Sequence, residues 1–329
     1  MGVKFKDIVL KENISLDDLS GKTLALDAYN FLHQFLSSIR QRNGELLVDS
    51  KGRVTSHLTG LFYRTINLLE KNIKPIYVFD GKPPSFKYIL KERQKVKEKA
   101  LEKLREAKEQ EDVEKIRLYS QQTSYLTDSM IKDSKKLLDL MGISWVQAPS
   151  EGEAQCVNLL NNHLVYAVAS QDYDSLLFGA EILIRNLSIS GKKKVPGKNE
   201  YFFVSPEKIV LSKTLKHLEI NREKLIILAM LIGTDYNKGI KGIGPKTALK
   251  IVKENTVKNL FKKYNLSEEI FNWFLNPKVK DIKKISNPKI NINKLREFLL
   301  DFDFSEKRIN QALNRLKKIE QKSLDIFFT

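Results

Sequence analysis

An α/β fold with a mostly parallel central sheet flanked by helices is predicted from three short apolar runs, each rich in strand formers: Thr23 to Leu26, Ile76 to Phe79 and Val165 to Ala169. Helical patterns such as His57 to Leu69 and Ser129 to Met141 lie between them, which is the alternation that parallel strands need for their crossovers. Each run also ends at or near an aspartate, and open α/β sheets build their sites at the carboxyl ends of their strands.

The first run leads directly into Asp27 and the second into Asp80, while Asp172 and Asp174 lie just beyond the third. After Asp80 the segment Gly81-Lys82-Pro83-Pro84 turns the chain away from the sheet. Between Pro84 and Gly142 there is no glycine or proline, and residues 81 to 118 hold 12 basic and 8 acidic side chains. Such a stretch predicts a long solvated helix, and from charge alone a surface helix laced with i,i+4 pairs is the plainer reading. Its position right after Asp80 favours a functional one. The lysine-rich stretch Gly191 to Gly197 reads as a mobile loop.

Composition narrows the class of function. At 329 residues, 42% hydrophobic and 29% charged, the chain is that of an ordered globular protein with one large core or two closely joined ones. A formal net charge of +17 favours a polyanionic partner, and residues 241 to 320 alone carry 19 basic against 9 acidic side chains. Cys156 is the single cysteine, which excludes an internal disulfide and a thiolate zinc cluster. The longest apolar run, Leu225 to Ile232, is too short to cross a bilayer. An intracellular setting is expected.

Seven acids carry the chemistry: Asp27, Asp80, Glu151, Glu153, Asp172, Asp174 and Asp235. Each has a plain explanation by itself. Asp80 precedes a glycine and suits a turn, Ser150 and Glu153 have the spacing of a capping box, Gln171-Asp172-Tyr173-Asp174 suits an acidic turn, and Asp235 a loop after a helix. Together, at strand ends and helix starts, they could meet in one crevice, where unneutralised carboxylates would repel. Hard divalent cations, Mg²⁺ with Mn²⁺ as a substitute, resolve that repulsion, whereas His33, His57, His163 and His217 are too scattered for zinc. Two such ions roughly 4 Å apart suffice for phosphodiester hydrolysis without a protein nucleophile.

A second signal is Gly239-Ile240-Lys241-Gly242-Ile243-Gly244-Pro245-Lys246-Thr247-Ala248. The glycines permit a hairpin, Pro245 suits the first turn of a following helix, and that helix start can direct amide N–H groups at a phosphate. A bare turn would also contain Gly-x-Gly-Pro; the surrounding lysines favour DNA. The segment resembles a helix-hairpin-helix element that grips duplex DNA by its backbone.

In order and spacing these motifs resemble those of the flap endonuclease family, within the structure-specific 5′-nucleases, and its archaeal and eukaryotic branch in particular. The matching segments run from Met1-Gly2-Val3 through Val78-Phe79-Asp80-Gly81-Lys82-Pro83-Pro84, Ala148-Pro149-Ser150-Glu151-Gly152-Glu153-Ala154-Gln155, Ser170-Gln171-Asp172-Tyr173-Asp174 and Gly242-Ile243-Gly244-Pro245-Lys246 to the tail, nearly the whole chain. The resemblance implies a PIN-like nuclease fold in which the seven acids surround two Mg²⁺ ions. It implies a nuclease core over residues 1–316, with a helical arch over 81–128 and the helix-hairpin-helix region over 225–256, and a tail over 317–329.

The same resemblance assigns catalysis to Lys87 and, by a register change, to Arg93, since Gln94 stands where the family has its arch arginine. It assigns DNA contact to Gly2, His33, Arg40, Gly242, Gly244 and Lys246, with His33 in place of a tyrosine that stacks on a nucleobase. Gln321, Leu324, Phe327 and Phe328 have the spacing of a sliding-clamp ligand, and the family carries such a motif there, so a PCNA-type sliding clamp is the expected partner. The plainer alternative folds these apolar residues back onto the core.

The activity so implied is Mg²⁺-dependent cleavage of DNA at 5′ flap junctions, with 5′-3′ exonuclease activity, in replication and base excision repair, by a monomer. Its rivals are a related nuclease acting on RNA or bubble junctions and a non-catalytic DNA scaffold. A scaffold gains nothing from a negative pocket.

Overall fold

The computed structural model describes residues 3–41, 43–87, 89–110, 112, 115, 119, 125–188, 191–194, 201–286 and 288–325. Its strands are β1 (Glu12–Asn13), β2 (Thr23–Asp27), β3 (Lys74–Phe79), β4 (Trp145–Gln147), β5 (Ala167–Ala169), β6 (Ile182–Arg185), β7 (Gly191–Lys194), β8 (Tyr201–Val204) and β9 (Glu207–Val210). Seven of them form one sheet in the order β1-β9-β6-β5-β2-β3-β4. The five from β6 to β4 are parallel, and β9 and β1 add an antiparallel edge.

Strand polarity and order place the site. The chain builds outward from β2 through β3 to β4, then returns to lay β5 on the other flank of β2. The order therefore reverses between β2 and β5, and the crevice of such a sheet opens beyond the carboxyl ends of those two strands. Asp27 ends β2, Asp80 follows β3, and Asp172 and Asp174 follow β5.

Alternation along each buried strand feeds two separate cores. Leu24 and Leu26 of β2, Tyr77 and Phe79 of β3, and Ala167 and Ala169 of β5 pack on one face with the helices Ala28–Ser38, Ser56–Glu70 and Asp128–Leu140 and the C-terminal helices. Ala25, Ile76, Val78 and Val168 point to the other, under the helices Gly152–Asn161 and Arg222–Ile232. Covered on both faces, these strands read as unbroken apolar runs in the sequence for that reason.

The segment after Pro84 enters a helix at Ile89–Glu109, in keeping with the absence of glycine and proline. Of the stretch Gly191 to Gly197 expected to be a mobile loop, Gly191–Lys194 is a strand paired antiparallel with Tyr201–Val204, and residues 195–197 lie outside the described residues. Lys192, Lys193 and Lys194 stand opposite Phe203, Phe202 and Tyr201. Lysine is a weak strand former, and the backbone pairing with a strand distant in sequence is what a local reading of composition misses.

Candidate active site

The seven acids share one electrostatic field at the carboxyl end of the sheet, and most are fixed by a specific contact. Asp27 is both the last residue of β2 and the N-cap of the helix Ala28–Ser38, where its Oδ1 accepts from the Asn30 amide at 3.1 Å. Asp80 Oδ1 accepts from the Gly152 amide at 2.7 Å, which ties the end of β3 to the start of the next crossover helix. A Cβ on Gly152 would lie 2.6 Å from that oxygen, so only glycine lets the two approach.

The capping-box reading of Ser150 and Glu153 does not hold. The N-cap is Glu151, without a side-chain cap bond, and the Ser150 hydroxyl donates to the Lys82 carbonyl at 3.0 Å. Glu153 instead accepts from the hydroxyls of Ser170 at 3.0 Å and Ser175 at 2.9 Å, from beyond the next strand. Capping boxes are local, and the pull of a shared cleft has overridden the local option.

Asn30 joins two segments of the site, donating to Asp172 Oδ2 at 3.2 Å and accepting from the Gln171 amide at 3.2 Å. Asp174 Oδ1 accepts from the Val3 amide at 2.9 Å, so the N-terminal segment reaches the cleft. Asp235 sits in a tight loop after the helix Arg222–Ile232, closed by the Thr234 hydroxyl donating to Asn237 Oδ1 at 2.7 Å and by Asn237 Nδ2 donating to the Met230 carbonyl at 2.7 Å.

Electrostatics show that these groups share one field. Burial first, then Asp80, Asp172 and Glu151, push the Asp27 carboxyl up to about 8. Burial, Asp235 and Asp172 push Asp174 up to about 7, and burial, Asp174, Asp27 and Asp172 raise Glu153 well above the usual carboxylate range. Lys87 reaches into this field: its Nζ lies 2.7 Å from Glu151 Oε2, with both side chains 11% exposed. Burial works to lower the Lys87 ammonium, but Glu151, Asp80 and Asp235 outweigh it and raise it.

The donors fit hard divalent cations. All are oxygens, Glu151 Oε1 is buried without a hydrogen-bond partner, and the raised carboxyls mark negative charge that lacks a counterion. Among the described residues no three of these acids close on a single point as the ligands of one ion would. Lys87 holds Glu151 aside and backbone amides hold Asp80 and Asp174. Mg²⁺, which keeps several of its waters, suits so open a ring of acids.

Phe86 fastens the segment that carries Lys87. Its ring centroid lies 5.8 Å from those of both Tyr236 and Trp273, and Tyr236 is the neighbour of Asp235. Sequence reasoning passed over Asn30, Phe86, Ser170 and Ser175. Asn30 alone had a local signal, its place three residues after an aspartate at a strand end.

The second signal is in place as well. The helix Arg222–Ile232 and the helix Pro245–Glu254 flank the glycine-rich hairpin, Gly244 is the N-cap and Pro245 the first helical residue. Gly242 has a φ of 87°, and a Cβ on Gly242 or Gly244 would meet nothing within 4 Å. Lys246 is exposed beside them. His33 is exposed on the helix Ala28–Ser38, whereas Arg40 donates to the carbonyls of Ser37 at 3.3 Å and Gly44 at 2.9 Å, bracing its own loop. Arg93 lies on the helix Ile89–Glu109 and Gln321 and Leu324 on the helix Glu306–Asp325; their side chains, with Gly2, Phe327 and Phe328, lie outside the described residues.

Family models match the chain over residues 1–103, the XPG N-terminal domain, and residues 142–235, the XPG I-region. Over 340 aligned residues the chain is 50% identical to flap endonuclease 1 of Thermococcus onnurineus, with 100% of this chain and 99% of that protein covered. The chain belongs to the flap endonuclease family. Its likeness to the family's flap endonuclease 1 of Methanosarcina acetivorans is 46% over 338 residues, with both chains fully covered. The solved structure of flap endonuclease-1 from Methanococcus jannaschii superposes with a TM-score of 0.77 at 42% identity, over 98% of this chain and 100% of that one. The catalytic core of Rad2 in complex with DNA substrate gives a TM-score of 0.69 at 25% identity, over 96% and 100%. Metal-dependent phosphodiester hydrolysis is general to this family. Among the described residues no helix is long and apolar enough to cross a membrane.

Proposed function

We propose that this chain, a nuclease of the flap endonuclease family, cuts DNA where a 5′ single-stranded flap leaves a duplex, using two Mg²⁺ ions held by Asp27, Asp80, Glu151, Glu153, Asp172, Asp174 and Asp235. The observation that carries this reading is the meeting of seven acids and one buried lysine at the switch point of the sheet. When bound, such ions activate water and neutralise charge growing on the phosphodiester. Lys87, from the segment after Pro84, is placed to stabilise that charge on the scissile phosphate. The hairpin at Gly242 and Gly244 offers amide N–H groups and open space to a duplex backbone, contacts that position DNA without reading its sequence. Gln321, Leu324, Phe327 and Phe328 serve as the sliding-clamp ligand.

The test is cleavage of labelled single strand, blunt duplex, nicked duplex, bubble and 5′-flap DNA and of an RNA flap, each with Mg²⁺ and with chelator. Cutting confined to the flap and dependent on Mg²⁺ is expected; equal cutting of an RNA or bubble substrate would shift the reading to the related nucleases.

A further inference from the structure

Arg185, the last residue of β6, stands outside the acid set but holds the loop that carries two of its members. Its Nε donates to the Gln171 carbonyl at 3.0 Å, and its Nη1 donates to the Tyr173 hydroxyl at 2.6 Å and to Glu207 Oε2 at 2.9 Å. The guanidinium also lies over the Tyr173 ring, 4.1 Å from its centroid, and Phe5 packs on that ring at 6.2 Å. Glu207 is the cross-strand partner of Arg185 in the β6–β9 ladder, so the antiparallel edge of the sheet fixes where the guanidinium points.

Tyr173 is the residue between Asp172 and Asp174. With its ring and hydroxyl both fastened and the carbonyl of Gln171 held, the backbone on either side of each aspartate has little freedom. We infer that Arg185 is a positioning residue: through Gln171 and Tyr173 it sets Asp172 and Asp174 in the geometry that divalent cations require. Only a planar fork makes these contacts at once; a lysine ammonium at this site reaches one of them. The inference rests on the two-cation reading of the cleft. Groups that orient metal ligands in this way carry about 10- to 100-fold in metal affinity.

The test is Mn²⁺ binding to the full chain without DNA, read by electron paramagnetic resonance, together with the Mg²⁺ dependence of flap cleavage and thermal unfolding. In Arg185→Ala, Mn²⁺ affinity is expected to fall about 10- to 100-fold, with the Mg²⁺ needed for half-maximal cleavage rising in step and metal-free duplex affinity unchanged. Tyr173→Phe, which removes only the hydroxyl, shifts both in the same direction by less and keeps the test open if Arg185→Ala fails to fold. Arg185→Lys is not expected to restore binding; full restoration would show that an ion pair to Glu207 suffices without the contacts to Gln171 and Tyr173 and overturn the positioning role, as would unchanged Mn²⁺ affinity in both Arg185→Ala and Tyr173→Phe. A parent chain that binds no Mn²⁺ would instead overturn the two-cation reading, a separate result.

Discussion

Asp27 shows what the cleft costs the fold at the scale of one residue. Its carboxyl, ordinarily at 3.8, is pushed up to about 8 by burial and by Asp80, and Asp174 is pushed up to about 7. Between pH about 4 and about 8 these two carboxyls therefore bind more protons in the folded, metal-free protein than in the unfolded chain, and their contribution to stability falls as pH rises through that window. Asn caps a helix as well as Asp does, so Asp27→Asn retains the cap and removes the titrating charge. In chelator, Asp27→Asn is expected to melt above the parent at pH 8 and level with it near pH 4; a difference between the two that does not grow as pH rises across this window would contradict the assignment. Two substitutions test the chemistry itself. Asp80→Ala or Asp174→Ala should abolish Mg²⁺-dependent cutting while duplex binding survives, because the removed groups are negative; unchanged cleavage in either would sink the metal assignment. Lys87→Ala should slow cleavage of the saturated complex by about 100-fold and weaken duplex affinity far less, and loss of affinity alone would reduce Lys87 to an ordinary backbone contact.

Single elements test the DNA interface, and Gly244 offers a clean case. Its φ of −96° suits any residue and a Cβ there meets nothing within 4 Å, so Gly244→Ala adds no steric strain and costs only the poorer capping of alanine at an N-cap. Reduced duplex affinity with only a slightly lowered melting temperature is expected, since on the proposed reading the methyl group stands in the path of a phosphate approaching the helix N-terminus. Unchanged affinity would mean that DNA does not come near this turn. Gly242 cannot serve as well, because at φ 87° any side chain is strained whatever binds. Elements of this kind were legible in the sequence: the strand ends at Asp27 and Asp80, the helix start at Pro245 and the glycine-free helix all follow from local backbone preference. What stayed hidden depends on partners distant in sequence. Glu153 has cap spacing locally, yet it bonds Ser170 and Ser175, and the lysines of β7 became a strand only because Tyr201–Val204 lies opposite. The clamp of Arg185 on Tyr173 combines a strand order and a register that no window of sequence contains.

At the scale of the whole molecule the C-terminal helix joins the nuclease core to the proposed clamp ligand. The boundary expected between residues 316 and 317 falls inside one continuous helix, Glu306–Asp325. Its first half is packed: Ile309, Ala312, Leu313 and Leu316 are buried, and the Arg315 guanidinium bonds Glu70 and Asn67. Lys317 and Lys318 are exposed, and Ile319 is the last described side chain packed against the core. Gln321 and Leu324, three residues apart on the same helix, share a face beyond that last contact. A plug built from Leu324, Phe327 and Phe328, with Gln321 at its rim, suits a hydrophobic pocket on a partner. Deleting residues 321–329 removes the proposed ligand and leaves the buried residues Ile309 to Leu316 in place. Flap cleavage by the free enzyme and its melting temperature are expected to stay nearly unchanged, while stimulation by a sliding clamp is lost. Clamp binding that persists in calorimetry after the deletion would show that the ligand lies elsewhere, and a large drop in melting temperature would mean that the last residues belong to the core.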